Sequence, residues 1–377
     1  MIPCQRHLFD IPDDIAYFNC AYMSPQLTAG RTAGHAGVDR KSNPWIIRPE
    51  DFFSESETAR GLFATLVGAG ADDIAIISSA SYGLAIAARN IPLEKGQKIL
   101  LLDGQFPSNV YCWTERAKES GAEVITLPTP ADHDWTAAVL AAIDADVAVA
   151  ALPHNHWTDG ARLDLEVIGA ALRAVGAKLV LDITQSIGAM PIDVARVKPD
   201  FLVAACYKWM LGPYSVGFMY ASSAFQDGEP LEHNWLNRKG SEDFAGLVDY
   251  ADDYQPGARR YDMGERANFA QMPMVIAALE QLLEWGVANI QETLNVRTTE
   301  IAGRCESLGL IPLPSSLRAG HFLGLRRDGG LPKDLLERLL ADQIYISVRG
   351  SSLRVTPHLF NNDADVDKLI AALSKIL

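Results

Sequence analysis

Short apolar runs alternate with stretches of helical periodicity between about residues 57 and 220. The apolar runs cover residues 74–78, 99–103, 123–127, 147–152, 178–182 and 201–205. Stretches between them, such as residues 109–120, 137–142 and 165–175, place apolar side chains at helical spacing. Nearly continuous apolar strands that alternate with helices predict a mostly parallel sheet covered on both faces.

A seventh apolar run, residues 216–220, follows the turn Gly212-Pro213. Because that turn is too short to hold a crossover helix, we expect this strand to run antiparallel to the others. The seven runs together predict an α/β fold, with a large domain over residues 15–258.

The alternation ends after the seventh run. Residues 222–260 are rich in Trp, Asn, Asp and Gly, which predicts a long loop region that carries function. A helix is expected over residues 273–290, since Ile276, Leu279 and Leu282 follow helical spacing.

The remaining residues predict a smaller C-terminal α+β domain, residues 259–377, with which residues 1–14 are expected to pack. Its candidate strands lie near residues 321–325, 344–348 and 353–356. A last helix is expected to begin near Asp363, because acidic residues favour the first turn of a helix.

The composition narrows the class of protein. With 377 residues, 48% of them hydrophobic, the chain is neither a disordered tail nor a small disulfide-stapled module. Its 33 Lys and Arg residues against 47 Asp and Glu residues give a net charge of −14. A surface this acidic argues against nucleic acid or an anionic membrane as the main partner.

Cysteine usage and the first residues indicate the compartment. The five cysteines are scattered and odd in number, which is typical of reduced thiols in the cytoplasm. Charges within residues 1–14 leave no apolar core for a secretory signal, and no run reaches the roughly 18 apolar residues of a membrane helix. We therefore expect a cytoplasmic protein with no membrane partner.

Two residues at neighbouring strand ends suggest the chemistry. Asp182 ends one predicted strand, and Lys208 lies just beyond the end of the next. Ligands of open α/β sheets bind at these carboxyl ends. A pyridoxal phosphate site needs a lysine to form a Schiff base with the aldehyde and a carboxylate to keep the pyridine nitrogen protonated.

The motifs around these two residues resemble a known family. Asp182-Ile-Thr-Gln185, followed by a strand and Tyr207-Lys208-Trp209, is similar to the class V aminotransferase family of fold-type I pyridoxal phosphate enzymes. That family includes cysteine desulfurases, kynureninases and isopenicillin-N epimerase-like proteins. The resemblance extends over residues 17–360 and implies pyridoxal 5'-phosphate as cofactor, an amino acid as substrate and a homodimer.

The resemblance also implies roles at the ring and the phosphate. Lys208 would be the Schiff-base lysine and proton shuttle, with Asp182 on the pyridine nitrogen and Gln185 on the ring hydroxyl. The backbone N–H of Ala80 and the hydroxyls of Ser81 and Tyr207 would hold the phosphate, since a strand there runs through small residues into a helix. The resemblance further implies that Phe106 stacks on the ring as an apolar slab.

The substrate-binding residues follow in the same way from the resemblance. Either His156 or Trp157 would face the ring hydroxyl or the substrate. Arg354 would clamp the substrate carboxylate, because its guanidinium can donate two parallel hydrogen bonds, and Arg349 is a second candidate. Asn268 lies in a loop that usually reaches the phosphate of the partner subunit.

Two departures from the family pattern bear on the reaction. Ala205 replaces a serine that often precedes the lysine by three residues. Residues 341–353 contain no cysteine, although desulfurases keep a mobile one there, which argues against a persulfide mechanism. His154 and His156 lack the cysteine or carboxylate partners of a metal site, so no metal is predicted.

The sequence leaves the reaction open. An aminotransferase or epimerase, acting at the Cα of an amino acid through an external aldimine, is the first hypothesis. A kynureninase-like C–C or C–S lyase is the alternative, because Phe106 and Tyr207 resemble that side of the family. A non-catalytic binding protein with the same fold is a third.

Overall fold

A computed structural model of the protein describes residues 1–377. In chain order the strands are β1 (Ala16–Tyr17), β2 (Ile74–Ile77), β3 (Lys98–Leu102), β4 (Glu123–Leu127), β5 (Val147–Pro153), β6 (Lys178–Asp182), β7 (Phe201–Ala205), β8 (Gly217–Ala221), β9 (Ile311–Pro312), β10 (Leu323–Arg326), β11 (Ile344–Tyr345), β12 (Ser347–Arg349) and β13 (Ser352–Val355). The helices are α1 (Thr28–Ser42), α2 (Ser54–Val67), α3 (Ala80–Asn90), α4 (Ser108–Ser120), α5 (Trp135–Ala142), α6 (Leu165–Ala174), α7 (Val194–Val197), α8 (Gln271–Trp285), α9 (Val287–Glu306), α10 (Leu335–Ala341) and α11 (Asp363–Ile376).

A seven-stranded sheet forms the centre of the molecule, in the order β2-β8-β7-β6-β5-β3-β4. Six of its strands are parallel, and β8 runs antiparallel to both β2 and β7. The predicted α/β class and mostly parallel sheet are therefore confirmed, including the antiparallel direction of the strand after Gly212-Pro213.

Both faces of this sheet are buried, which explains the nearly continuous apolar runs. Along β3, Leu100 and Leu102 pack into one hydrophobic cluster. Ile99 and Leu101 point to the opposite face and pack into another. Because successive side chains of a strand alternate between faces, every position of such a strand must be apolar.

A smaller antiparallel sheet, in the order β12-β13-β10-β9, lies in the C-terminal part of the chain. Leu323, Leu353 and Val355 join its hydrophobic cluster together with Ala16 and Phe18 from near the amino terminus. The N-terminal segment is held to the same region, because Arg6 pairs with Asp365 at 3.0 Å and Gln5 N–H donates to the Leu359 carbonyl. The bounds at residues 258 and 259 stay a prediction.

Two predicted elements are divided in the structure. The helix expected over residues 273–290 ends at Trp285, and α9 begins at Val287, because Gly286 takes a φ of 74° that interrupts the helix. The strand expected near residues 344–348 changes sheets, since β11 pairs in parallel with β1 while β12 pairs with β13.

Residues 222–260 contain only short 3₁₀ turns, as expected of a loop region. The segment that follows is anchored by Asp262, a fully buried carboxylate. It accepts hydrogen bonds from Arg60 of α2 at 2.6 Å, from Arg266 at 2.6 Å and from the Ile76 N–H of β2. This ion cluster ties the segment to the large sheet and to α2.

Helix α1 packs closely at Gly37 against the chain just before α8. A Cβ added at Gly37 would lie 2.0 Å from the Phe269 carbonyl oxygen, so only glycine permits this approach. None of the helices is both long enough and apolar enough to cross a bilayer.

Candidate active site

A cavity of about 220 Å³ opens at the carboxyl ends of the parallel strands. Its walls come from the residues that follow β2, β3, β5, β6 and β7, the edge at which open α/β sheets bind ligands. The predicted site residues that line this cavity are Ala80, Ser81, Phe106, Trp157, Asp182, Gln185, Tyr207 and Lys208.

Asp182 is the last residue of β6 and is held by the chain just beyond it. The Thr184 N–H donates to Asp182 Oδ1 at 3.0 Å, and the Thr184 hydroxyl accepts from the Ala205 N–H of β7 at 3.1 Å. Burial raises the pKa of Asp182 above its ordinary value, while the hydrogen bonds from Thr184 and the charge of Lys208 oppose that rise.

Lys208 extends from the turn after β7 into the same cavity. The residue is 5% exposed, and its Nζ lies 5.3 Å from the centroid of the Phe106 ring and 5.5 Å from that of Tyr207. The pKa of Lys208 is lowered to about 8, chiefly by burial and also by the charges of Arg354 and Arg349, while Asp182 opposes the fall. A substantial fraction of the amine is therefore neutral near physiological pH, as a nucleophile or base must be.

The amino end of α3 forms the opposite part of the cavity. The helix begins at Ala80, and the Ser79 hydroxyl caps it by accepting from the Tyr82 N–H at 3.2 Å. The hydroxyls of Ser79 and Ser81 lie 2.9 Å apart. Free backbone N–H groups and hydroxyls at a helix start suit an anion such as a phosphate.

Asn155, and not His156, lies in the cavity wall next to Trp157. The His156 ring is turned away, since Nδ1 lies 2.7 Å from the Thr158 hydroxyl and Nε2 lies 3.0 Å from the Asp103 carbonyl oxygen. Both nitrogens are thus engaged by the protein, which makes His156 a support of the wall. Of the two predicted residues, only Trp157 lines the cavity.

Gln185 and Tyr207 also reach the cavity, each with contacts of its own. Gln185 Nε2 donates to the Ala21 carbonyl at 3.0 Å, and its Oε1 accepts from the Trp209 indole N–H at 3.1 Å. One amide N–H of Gln185 stays free for a ligand. Tyr207 packs against Tyr214 at 4.7 Å, and burial raises the pKa of Tyr207 to about 12, so its hydroxyl keeps its proton.

Arg354 lies behind Trp157 and does not line the cavity itself. Its Nε and Nη2 donate to the Ser347 hydroxyl at 3.0 and 2.8 Å, and its Nη1 donates to the Trp157 carbonyl at 3.0 Å. The guanidinium carbon lies 5.7 Å from the Trp157 ring centroid, and that of Arg349 lies 6.0 Å from it. Trp157 therefore contacts both the arginines and the main cavity.

Asn268 is placed elsewhere. Its Oδ1 accepts from the N–H groups of Ala270 and Gln271, just before and at the start of α8. It lines a second cavity of about 590 Å³ beside Val38 and Trp235. Within one chain, Asn268 and Lys208 are not brought together.

Several residues of the site went unnoticed in the sequence. Asn155 is adjacent to His156, and Thr184 lies two positions after Asp182. Their places in these two motifs could have indicated both residues. Tyr214 and Ser215 follow the Gly-Pro turn and have no such signal, because only the folded chain brings that turn over the cavity.

The strand-end carboxylate, the buried amine and the capped helix start together define an α/β protein with a site for an anionic aldehyde cofactor. The sequence matches the family described as Aminotransferase class-V over residues 47–361, and the chain belongs to that family. The predicted fold type, the pyridoxal phosphate dependence and the enzymatic nature of the protein are thereby confirmed.

Individual relatives vary in activity. The chain is 25% identical to the uncharacterised aminotransferase YcbU of Bacillus subtilis, over 84% of this chain and 82% of that protein. It is 25% identical to the isopenicillin N epimerase of Streptomyces clavuligerus, over 84% and 83%. A mutant of C-DES with glycine covalently linked to its PLP cofactor has a similar fold, with a TM-score of 0.90, 19% identity and coverage of 99% and 100%.

Proposed function

We propose that the protein acts at the Cα of an amino acid as an aminotransferase or epimerase, with Lys208 as the base. The observation that carries this proposal is the pairing of Asp182 and Lys208 from neighbouring strand ends in one buried cavity. A carboxylate for the pyridine nitrogen and a partly neutral amine for the aldehyde are the two groups that this chemistry needs.

The residues of the cavity fit the cofactor. Asn155 is fully buried, and neither its amide nitrogen nor its amide oxygen has a hydrogen-bond partner within the protein. Buried polar groups are rarely left unpaired. A polar ring substituent beside Asn155, a carboxylate at Asp182 and an anion at the start of α3 would satisfy all three regions of the cavity.

When bound, the cofactor supplies an electron sink for the charge that develops at Cα. Asp182 would hold the proton on the pyridine nitrogen, and Ala80 and Ser81 would hold the phosphate. Phe106 and Trp157 would exclude water from the ring. Lys208 Nζ would take the proton from Cα and return it, and Arg354 would orient the α-carboxylate.

The cavity favours proton transfer by a single amine. Asp182, Tyr207, Lys208 and Tyr214 are its only titratable lining residues, and no cysteine lines it. One base that removes and returns protons is sufficient for transamination, in which the same group can serve both steps. The missing cysteine argues against a persulfide mechanism.

The test uses the visible absorbance of the cofactor-loaded protein. We expect Lys208→Ala to lose the band of the lysine-bound cofactor and to lose at least about a thousandfold in turnover of an amino acid. Lys178→Ala, a matched change at the opposite end of β6, should keep both. An unchanged band and turnover in correctly folded Lys208→Ala, judged by circular dichroism, would refute the assignment.

The same experiment separates the reaction types. A transaminase leaves the cofactor in its amine form after one turnover with an amino acid, whereas a lyase returns the original band and releases a keto acid or another carbonyl product. An epimerase restores the original band and releases no new product, but the optical rotation of the substrate changes as its two Cα configurations equilibrate.

We also infer a cytoplasmic homodimer. All five cysteines are free in the structure. The second cavity, which Asn268 lines, adjoins apolar side chains that a partner would cover: Val38 is 54% exposed, and Trp45 and Ile46 follow closely after α1 with 78% and 51% exposure. Contiguous exposed apolar groups of this kind are typical of protein interfaces.

A further inference from the structure

The hairpin of β12 and β13 places two arginines on one face of the smaller sheet. Arg349 pairs with Ser352 across the hairpin, and Ser347 pairs with Arg354. Because side chains two apart on a strand share a face, Arg349 and Arg354 are diagonal neighbours, roughly 7–8 Å apart at their Cα atoms. Leu353 and Val355 point to the other face, into the hydrophobic cluster.

These two guanidinium groups have no carboxylate partner. Arg354 is 1% exposed, and its recorded partners are a hydroxyl and a carbonyl, which leaves one N–H on each terminal nitrogen unused. The only side-chain hydrogen bond of Arg349 goes to its neighbour's carbonyl, that of Val348. Like charges on adjacent strands repel each other, so the pair is unfavourable without an anion.

Two other neighbouring arginines have a carboxylate partner. Arg60 and Arg266 are fully buried, like Arg354 and unlike the half-buried Arg349, and both donate to the carboxylate of Asp262 at 2.6 Å. A buried arginine without a carboxylate partner does not by itself indicate a ligand site, because the Arg318 side chain is held by the hydroxyls of Thr298 and Thr299 alone. The pair at Arg349 and Arg354 differs because the two positive charges stand beside each other.

A third group between the arginines points to a ligand. The Ser352 hydroxyl is buried and has no hydrogen-bond partner. Ser352 lies opposite Arg349 and two residues before Arg354, on the same face. A buried hydroxyl without a partner, beside two guanidinium groups without a carboxylate, is the donor set of a site for negatively charged oxygens.

The charge balance then indicates how many anionic groups the site takes. An α-carboxylate carries one negative charge, and the two arginines carry two positive charges. Asp182 is the carboxylate that acts on Lys208 in this region, and it is committed to the main cavity. One positive charge at the arginine pair therefore stays uncompensated by an ordinary neutral amino acid.

We propose that Arg349, Ser352 and Arg354 form a subsite for two acidic groups, so that the substrate is an amino acid whose side chain ends in a second carboxylate. This inference rests on the proposed action at Cα. Trp157, whose ring both guanidinium groups approach, also lines the cofactor cavity, so the subsite adjoins that cavity.

The experiment compares acids with their amides in the cofactor-loaded protein. L-aspartate and L-glutamate are titrated against L-asparagine and L-glutamine, with the change in the cofactor band and calorimetry as readouts of Kd. We expect each acid to bind at least about tenfold more tightly than its amide, because hydrogen bonds between charged groups are the strong ones. The amides are matched in size, so only the charge differs.

Variants locate the effect. Arg349→Gln should bring the ratio of acid to amide affinity close to one while changing the Kd of the amide by no more than about twofold. Ser352→Ala should lower the ratio by a few fold. Arg338→Gln, on the exposed surface of α10, is the matched control and should keep the ratio.

Two results would overturn the subsite. One is equal affinity for acids and amides; the other is an Arg349→Gln variant that weakens both alike, which would mean that both arginines hold the single α-carboxylate. If neutral amino acids change the band and acids gain no advantage, only the subsite fails. If no amino acid changes it, the proposed function fails as well.

Discussion

Lys208 shows how burial alone prepares a residue for chemistry. Its Nζ lies over two aromatic rings. No carboxylate oxygen lies within 4.0 Å of it. Removing an ammonium from water disfavours its charged form, and the two nearby arginines add repulsion. The pKa of about 8 follows from these surroundings, with Asp182 preventing a larger fall.

The rate of cofactor uptake should therefore depend on pH in a defined way. The neutral amine attacks the aldehyde, and its fraction rises with pH until the pKa of Lys208 is passed. We expect the uptake rate of cofactor-free protein to rise through a midpoint at about pH 8 and then level off. Stopped-flow absorbance at a series of pH values measures this midpoint.

Asp182→Asn provides the matched comparison for that measurement. The Asp182 carboxylate stabilises the ammonium form of Lys208, so its loss should move the midpoint to lower pH. A midpoint near 10.5 in the native protein, the ordinary value for lysine, would contradict the account.

At this scale the sequence predicted the strand-end residues better than the loop residues. Asp182 and Lys208 follow directly from the positions at which strands end. The side chain that faces the cavity after β5 cannot be predicted in this way. The alternation of strand faces stops at Pro153, and beyond it contacts with distant residues determine which side chain faces the cavity. His156 is turned by the Asp103 carbonyl, which lies 53 positions away, and this leaves Asn155 in the wall.

Among the elements, the junction of α2, β2 and residues 262–266 centres on the buried carboxylate of Asp262, with the half-buried Glu57 as a second partner of Arg60 at 3.1 Å. Asp262 and Arg60 are both fully buried, as is Arg266. Such a cluster is stable only when complete, since each group is costly in isolation. Burial lowers the pKa of Arg266, and the charge of Asp262 opposes that fall.

Asp262→Asn should destabilise the protein strongly. The substitution leaves two buried guanidinium groups without their shared partner, so we expect the free energy of unfolding to fall by about 3–5 kcal/mol. Urea denaturation followed by fluorescence measures the change. Asp227→Asn, whose carboxylate is fully exposed beside Arg260, is the control and should leave the free energy of unfolding nearly unchanged. Equal losses in the two variants would contradict the argument.

The strands of the large sheet were the most predictable elements, because both of their faces are buried and their runs are continuous. The division at Gly286 was missed because apolar spacing continues on both sides of it. The change of sheets at Ile346 was missed for another reason. Strand β11 exists because it pairs with β1, and the local periodicity of the sequence does not reveal so distant a partner.

At the scale of the whole molecule, the acidic exterior and the basic site have separate roles. The net charge of −14 favours solubility and disfavours polyanions. Anionic ligands must then be held by local donors, which are the start of α3, Lys208 and the two arginines. The resemblance predicted the classes of these donors, whereas the placement of both arginines beside Trp157 depends on the folded chain.

The proposed dimer can be tested by sedimentation. We expect a mass of twice the 41.0 kDa of one chain, because the exposed side chains after α1 need cover. Trp45→Asp should shift the protein toward monomers by placing a charge in an apolar interface. Val167→Asp, at a comparably exposed apolar position on α6, is the control, and an unchanged mass in Trp45→Asp would speak against this surface.

The pairing of β1 with β11 sets an order of events during synthesis. Residues 16 and 17 leave the ribosome long before their partners, residues 344 and 345, have been made. At about 5–20 residues per second, this delay is roughly 15–65 s. Throughout that interval Ala16 and Phe18 lack the core that buries them, so the nascent chain presents an apolar segment near its amino terminus to chaperones until translation is almost complete.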